Sequence, residues 1–548
     1  MNVTKHFATV GRRRVHYLRA GRGPALALLH ASPCSAKVLR PLMPVFGEKF
    51  TCLAFDTPGF GLSDKLPIEQ PSVGDFADAL AETLDALGVA HAAAYGRHTG
   101  ASIAVEYAAR HPGRCAMALA DGYAVFAQRY TDEHLARYLE PIEPAWDGAH
   151  LLRLWFRYRD QHVFWPWNNQ SAAARSDADV PDLEFLHRGV VELLEAGNDY
   201  RIGYAAPFRH RALDVLPNLK VPVCFGNRPG DSMYRTRSLY PSSAWQEVMP
   251  RELAAATRAE RAILERHPAR GEPPPAPRCA PLPGRSTTDY VDLDGTQILM
   301  RSVGDLRSAR EPLLVIHHAP GSSSLYDALL LEAGRTRPAF AIDLPGHGES
   351  DPLPGNSHDP ESLALSIEKL LDRIQISNLR IYGHNGGAAI AVELARRLGR
   401  RVRGLVLDAP SFLNDEDRAR LASRYAPPVT PVWEGSHWLR AWHHLRDSEL
   451  WWPWFERTHH AVRAPAPRID PQALTLRVRE AMKQPASYQA AWQASLAYAW
   501  RERLSGLEVP ILRMAAPQDV FAHLAPATKV DDTASARARA IDDWWSAA

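Results

Sequence analysis

One spacing constrains this chain more than its composition does: its motifs return after 287 residues. Leu29-His30-Ala31-Ser32-Pro33 comes back as Ile316-His317-His318-Ala319-Pro320, and Asp56-Thr57-Pro58-Gly59-Phe60-Gly61 as Asp343-Leu344-Pro345-Gly346-His347-Gly348. Tyr95-Gly96-Arg97-His98-Thr99-Gly100 comes back as Tyr382-Gly383-His384-Asn385-Gly386-Gly387. The stretch Pro144–Trp167 matches Pro431–Trp454 at 12 of 24 positions, still at the same offset, and Val221-Pro222 returns as Val509-Pro510 one residue later. An offset constant from His30 to Trp167 leaves no room for a net insertion. The period is that of a duplicated domain and far exceeds that of a solenoid repeat.

The break between the copies is marked by six prolines, at 273, 274, 275, 277, 281 and 283. Proline removes a backbone donor and fixes φ, so this stretch builds neither a helix nor a central strand. It reads as an extended, semi-rigid linker over 268–285, roughly 55 Å long at about 3.1 Å per residue. The domains are then 1–267 and 286–548.

Each half alternates short apolar runs with helical patterns. The runs Ala25–His30, Phe50–Phe55, Ala92–Tyr95 and Met117–Ala120 have counterparts in Pro312–His317, Ala339–Ile342, Leu379–Tyr382 and Gly404–Leu407. Continuous apolar strands separated by helices such as Val73–Leu87 predict an α/β fold, a mostly parallel sheet covered on both faces. A long aromatic segment with helical spacing follows the fourth run in each half. It predicts helical cap insertions at about 124–215 and 411–503.

Composition narrows the function class. With 64 basic against 62 acidic residues, the chain gives no reason to expect a nucleic-acid or anionic-membrane partner. Cys34, Cys52, Cys115, Cys224 and Cys279 fall in no metal-ligand or disulfide spacing, which predicts reduced thiols and a cytoplasmic protein. Met1–Arg14 is polar and basic without an apolar run, unlike a signal peptide, and no apolar run approaches membrane-spanning length. No cofactor motif is visible, and none is expected.

Three motifs, in the same order twice, resemble the α/β-hydrolase fold over nearly the whole of both halves. A strand ends in His-x-x-Pro, similar to the family's oxyanion loop. Asp-x-Pro-Gly-x-Gly-x-Ser-Asp is complete at Asp56–Asp64 and looser at Asp343–Asp351. A strand–turn–helix Gly-x-x-x-Gly stands at Gly96–Gly100 and Gly383–Gly387. The resemblance implies two tandem hydrolase-type domains, each presenting a nucleophile at the tip of the last turn. Here that position holds His98 in the first half and Asn385 in the second. An amide is neither nucleophile nor base at neutral pH, whereas imidazole can serve as either.

The resemblance also implies an acid after the strand that follows the cap, where Asp231 and Asp519 stand. Asp121 and Asp408, ending the strand before the cap, form a second pair. The histidine the family places after the last strand is missing: His267 and His523 do not fit that slot. A serine acyl-enzyme is therefore not expected. Backbone N–H groups of Ser32 and Thr99, with Ala319 and Gly386 as second-half equivalents, would supply oxyanion donors. The repeated cap motif suggests an apolar or aromatic pocket lined by Trp146, His150, Trp165, Trp433, His437 and Trp452.

Two functions follow. One is an enzyme whose first half uses His98, oriented by Asp231 or Asp121, as a general base on a small, largely apolar substrate. Hydrolysis by activated water and a lyase or isomerase step are both open, and the second half is then a degenerate copy in a single-chain pseudo-dimer, with further oligomerisation left open. The other is a non-catalytic ligand-binding or scaffold protein on a retired hydrolase fold.

Overall fold

The computed structural model describes residues 1–126, 130–524 and 526–547. It divides into two compact units: residues 1–143 with 153–280, and residues 144–152 with 281–548.

In the first unit the strands are β1 (Thr4–Val10), β2 (Arg13–Ala20), β3 (Ala25–Leu29), β4 (Thr51–Phe55), β5 (Ala92–Arg97), β6 (Cys115–Asp121), β7 (Val223–Asn227) and β8 (Trp245–Val248). They form one sheet in the order β1-β2-β4-β3-β5-β6-β7-β8. β1–β2 and β2–β4 pair antiparallel and the rest parallel.

The second unit repeats this with β9 (Thr287–Leu293), β10 (Thr296–Val303), β11 (Leu313–Ile316), β12 (Ala339–Ile342), β13 (Leu379–His384), β14 (Val402–Asp408), β15 (Ile511–Ala515) and β16 (Thr528–Lys529). Its order, β9-β10-β12-β11-β13-β14-β15-β16, is the same. The α/β duplication expected from the offset is therefore the architecture observed, with helices inserted between β6 and β7 and between β14 and β15.

The central strands β3 and β11 are apolar at every position because both sheet faces are covered. β3 sends Ala25, Ala27 and Leu29 into one core layer and Leu26 and Leu28 into the other. β11 likewise divides Leu314 and Ile316 from Leu313 and Val315. Each fully buried leucine contributes roughly 1.5–3 kcal/mol of transfer free energy, which fixes the register of these short strands. The outer hairpin of the second sheet turns at Asp294-Gly295, both with positive φ, as a two-residue type I′ connection requires.

The proline-rich segment divides at 280/281. Its first part lies along the opening hairpin of the first unit, where Arg19 donates to the Pro274 carbonyl (2.6 Å) and Thr9 to that of Ala280 (2.7 Å).

Candidate active sites

Both sites are built at the turn that follows the fifth strand of each sheet. β5 ends at Arg97, a helix starts at Thr99, and His98 between them has φ 49° and ψ −106°. Asn385 takes the same conformation, φ 50° and ψ −120°, between β13 and the helix Gly386–Leu398. The flanking glycines permit the turn: a Cβ on Gly96 would lie 2.0 Å from the Gly100 carbonyl oxygen, and one on Gly387 would lie 2.4 Å from that of His317. Thr99 and Gly386 each open a helix, so their N–H groups have no intrahelical acceptor and remain available to an anion. Ser32 and Ala319 lie buried in the loops after β3 and β11.

In the first unit the imidazole of His98 meets Asp231. Nε2 lies 2.8 and 3.0 Å from the two carboxylate oxygens, and a third of the ring remains exposed. Asp231 caps the 3-10 turn Ser232–Leu239 through the Met233 N–H (2.8 Å). Burial pushes its carboxyl up, but the His98 ring, Arg97 and the Met233 N–H outweigh this and hold it below the usual carboxylate range.

Asp121 has other partners. Arg97 Nε is 3.5 Å away and the Tyr95 hydroxyl donates to it at 3.2 Å. Burial raises its pKa against the pull of Arg97. Arg97 also comes within 3.9 Å of Asp231, so one guanidinium spans both acids. A third buried carboxyl, Glu260, is raised well above its ordinary value by burial and by Asp121, which favours its neutral form.

Two further residues of this unit were not among the sequence candidates. His162 has its Nε2 buried without a hydrogen-bond partner, and burial, with Arg97 and His98 nearby, lowers its pKa to about 4. Glu192 accepts from the Ser35 hydroxyl (2.8 Å) and N–H (3.1 Å), and burial raises it to about 7.

The second unit keeps the acids and exchanges the cation. Arg537, on the helix Ala534–Ala547, lies 2.7 Å from Asp408 and 2.9 Å from Asp519. Position 384, equivalent to Arg97, holds a histidine instead. Its Nε2 faces Asp519 at 3.8 Å and its Nδ1 meets the Tyr326 hydroxyl at 2.6 Å. Asn385 directs its amide nitrogen to His384 Nε2 at 3.2 Å.

Donor atoms of His384, Asp408 and Asp519 lie within 4.8 Å of one another, a spacing a metal ion can use. The Arg537 guanidinium already neutralises both carboxylates from within hydrogen-bond distance, so a dication would have to displace it. This donor set does not fit a metal. His384, Tyr326, His318 and Asn385 line a cavity of about 620 Å³.

The cap residues divide by position. Trp146 and Trp433 are 63% and 49% exposed. His150 and His437 are buried and serve backbone turns, accepting from the N–H of Ala145 (3.1 Å) and of Val432 (3.3 Å). Trp165 packs against Tyr138 and Phe208, and Trp452 against Tyr425 and Phe521, both of which line the second unit's cavity.

Sequence reasoning missed Tyr326 and Arg537 altogether and passed over His384. Arg537 follows Asp519 by 18 residues, in the region where a histidine was sought, and its basic charge was the available signal.

Comparison with known proteins returns one family twice. A family model described as the alpha/beta hydrolase fold matches residues 24–196 and 311–522. Among curated proteins the chain is similar to 2-(acetamidomethylene)succinate hydrolase of Mesorhizobium japonicum, at 34% identity over 103 residues, 19% of this chain and 37% of that protein. It is also similar to soluble epoxide hydrolase of a Corynebacterium species, at 34% over 106 residues, again 19% and 37%. Haloalkane dehalogenase 2 of Mycobacterium bovis matches at 29% over 103 residues, 19% and 36%. The matched stretches thus span little more than a third of these relatives. Among solved structures, E-2-(acetamidomethylene)succinate hydrolase aligns with 48% of this chain and 98% of its own, at 18% identity and a TM-score of 0.35. Among the described residues no helix is long and apolar enough to cross a membrane.

Proposed function

This chain belongs to the α/β-hydrolase family through both of its halves, and from that premise we propose that its first unit performs general-base chemistry with His98. The observation that carries the reading is the contact of His98 Nε2 with both oxygens of Asp231, at 2.8 and 3.0 Å.

A carboxylate so placed fixes the imidazole tautomer. It holds the ring proton on Nε2 and leaves Nδ1 with the lone pair that takes a proton. The acid also stabilises the imidazolium formed, and its depressed pKa keeps it charged to do so. The base removes a proton either from water, for hydrolysis, or from a carbon acid, for a lyase or isomerase step. The N–H groups of Ser32 and Thr99 receive the negative charge that develops on the substrate. Asp121 acts at one remove, orienting Arg97 and through it Asp231. No covalent intermediate is required.

The substrate is a small, largely apolar molecule. The relatives support this scale, since their names specify an acetamidomethylene succinate, epoxides and haloalkanes. The second unit is degenerate for this reaction, because Asn385 at its tip offers no base. The five cysteines form no disulfide among the described residues and four of them are buried, which suits a cytoplasmic setting.

Turnover of activated esters, epoxides, cyanohydrins and C–C-cleavable diketones tests the proposal. His98→Ala is expected to lower the rate by at least about 100-fold, the scale of lost acid–base catalysis, and Asn385→Ala to leave it unchanged. Turnover that ignores His98 would overturn the assignment.

A further inference from the structure

The two copies end the helix that follows the turn with different charge. In the first unit the helix Thr99–Arg110 and the loop after it carry Arg110 and Arg114. Each is held by an acid, Arg110 by Asp78 at 2.6 Å and Arg114 by Asp85 at 2.7 Å. The second unit keeps both, 287 residues on, as Arg397 and Arg401, held by Glu368 at 2.7 Å and Asp372 at 3.0 Å. Such pairs complement the helix dipole and tie the helix end to its neighbour.

The second unit then adds three more arginines. Arg396, Arg400 and Arg403 stand where the first has Ala109, Gly113 and Ala116. Capping the helix does not account for them, since the first unit ends the same helix without them. All three line one groove of about 670 Å³, whose other wall is residues 505–510.

Their charge is not cancelled where they stand. Arg396 donates through Nη1 to the carbonyls of Arg503 (3.0 Å) and Ser505 (3.4 Å), which fixes the guanidinium without neutralising it and leaves the N–H groups on Nε and Nη2. Arg403 approaches Glu311 only to 3.7 Å, and that carboxylate already meets Arg380 at 3.0 Å. Arg400 forms no ion pair among the described residues. One acid, Glu508, shares the lining. Against three guanidiniums, that acid and the roughly half charge of a helix C-terminus leave the groove positive. The patch also stops at its rim, because Arg397 and Arg401 are already paired. Its scale is that of a small-ligand site and not of a stripe along a polymer.

Three forked donors in one groove exceed what a carboxylate can use, with its single charge and two oxygens. A phosphoryl group carries close to two charges and three terminal oxygens. We propose that this groove binds the phosphoryl group of a small phosphorylated molecule, a phosphate ester or a pyrophosphate, through Arg396, Arg400 and Arg403. The groove lies at the starts of β14 and β15, whereas Asp408 ends β14, so the site is separate from the cavity around His384. It is also independent of His98, and its failure would leave the first-unit reading untouched.

The test is calorimetric titration of the full-length protein with pyrophosphate, inorganic phosphate and acetate at neutral pH and moderate salt. The expected result is saturable binding of pyrophosphate at one site per chain, weaker binding of phosphate and none of acetate. Arg400→Ala and Arg403→Ala should each weaken pyrophosphate about tenfold, the loss of one charge-assisted contact. Arg397→Ala removes the same charge from the same helix end, but from a guanidinium already held by Glu368, and should change the affinity by no more than about twofold in screening salt. All three side chains are exposed, so the thermal midpoint should hold in each variant and separate loss of the site from loss of the fold. Absence of saturable pyrophosphate binding up to millimolar concentration would overturn the inference. So would an equal loss from Arg397→Ala and Arg400→Ala, which would reduce the groove to diffuse surface charge. An oligonucleotide that binds where pyrophosphate does not would overturn it in favour of a polymer.

Discussion

The two units hold the same pair of buried aspartates and neutralise them from different places. In the first, Arg97 reaches Asp121 and Asp231 from the strand end, at 3.5 and 3.9 Å. In the second, Arg537 reaches Asp408 and Asp519 from the last helix, at 2.7 and 2.9 Å. Each unit places an arginine beside its two acids and draws it from a different segment. Where the last helix delivers it, the strand end is released to carry a histidine, and the imidazole moves from the tip of the turn to the position before it.

A second pair repeats the lesson. Glu192 and Glu480 hold matching serines, Ser35 and Ser322. Burial raises Glu192 to about 7. Glu480 is just as buried, but Lys483 at 3.2 Å and Arg479 at 2.6 Å bring it down to about 2.

The largest effect is expected from Arg537→Leu. It strands two buried carboxylates at hydrogen-bond distance and should cost about 3–5 kcal/mol, whereas Arg97→Leu, with longer contacts, should cost about 1–2 kcal/mol. Hydrogen exchange read separately for amides of β6 and β14 gives each unit its own value. A larger loss from Arg97→Leu would break the comparison.

The glutamates come next, with opposite signs. The folded pKa of Glu192 lies above its ordinary 4.5, so its contribution is complete below pH 4.5 and is lost as pH rises through about 7. Glu192→Gln should therefore stabilise the first unit at pH 8 by about 2–3 kcal/mol. The folded pKa of Glu480 lies below 4.5, so its contribution is present at neutral pH and is lost as pH falls from 4.5 toward about 2. Glu480→Gln should destabilise the second unit at neutral pH by a similar amount and approach neutrality in acid. Melting curves between pH 3 and pH 8 measure both, and two shifts of the same sign would refute the pairing.

The smallest effect sharpens the comparison where the copies agree. His150→Ala and His437→Ala each remove the acceptor of one turn N–H and should cost about 1 kcal/mol apiece, equal within the error of chemical denaturation. Unequal costs would mean that the two turns are not equivalent.

Much of the fold was legible because it rests on local chemistry repeated twice. All-apolar runs such as Ala25–Leu29 and Leu313–Ile316 announce central strands, and Gly96 with Gly100 announces a turn where backbones touch. The acids were legible by their offset. Tyr326, His384 and Arg537 were not, because the first two meet across 58 residues and the third meets Asp408 across 129. No periodicity or spacing encodes such encounters. The cap tryptophans show the converse: a dense aromatic motif at Trp146 and Trp433 reads as a pocket, yet these residues are 63% and 49% exposed, since motif density reports residue type and not direction.

The turn conformation shared by His98 and Asn385 has a consequence for what a weaker chain would look like. A positive φ with ψ near −110° is comfortable for glycine and costs any other residue about 1–3 kcal/mol. Glycine at either tip would relieve that strain, but at position 98 it would also strip buried Asp231 of its imidazole partner. The protein carries a side chain at both tips regardless, and gives up stability twice to do so. Asn385→Gly, which forfeits only an amide contact to His384, is the substitution that selection for robustness alone would favour, and the chain is built as though robustness were the lesser demand.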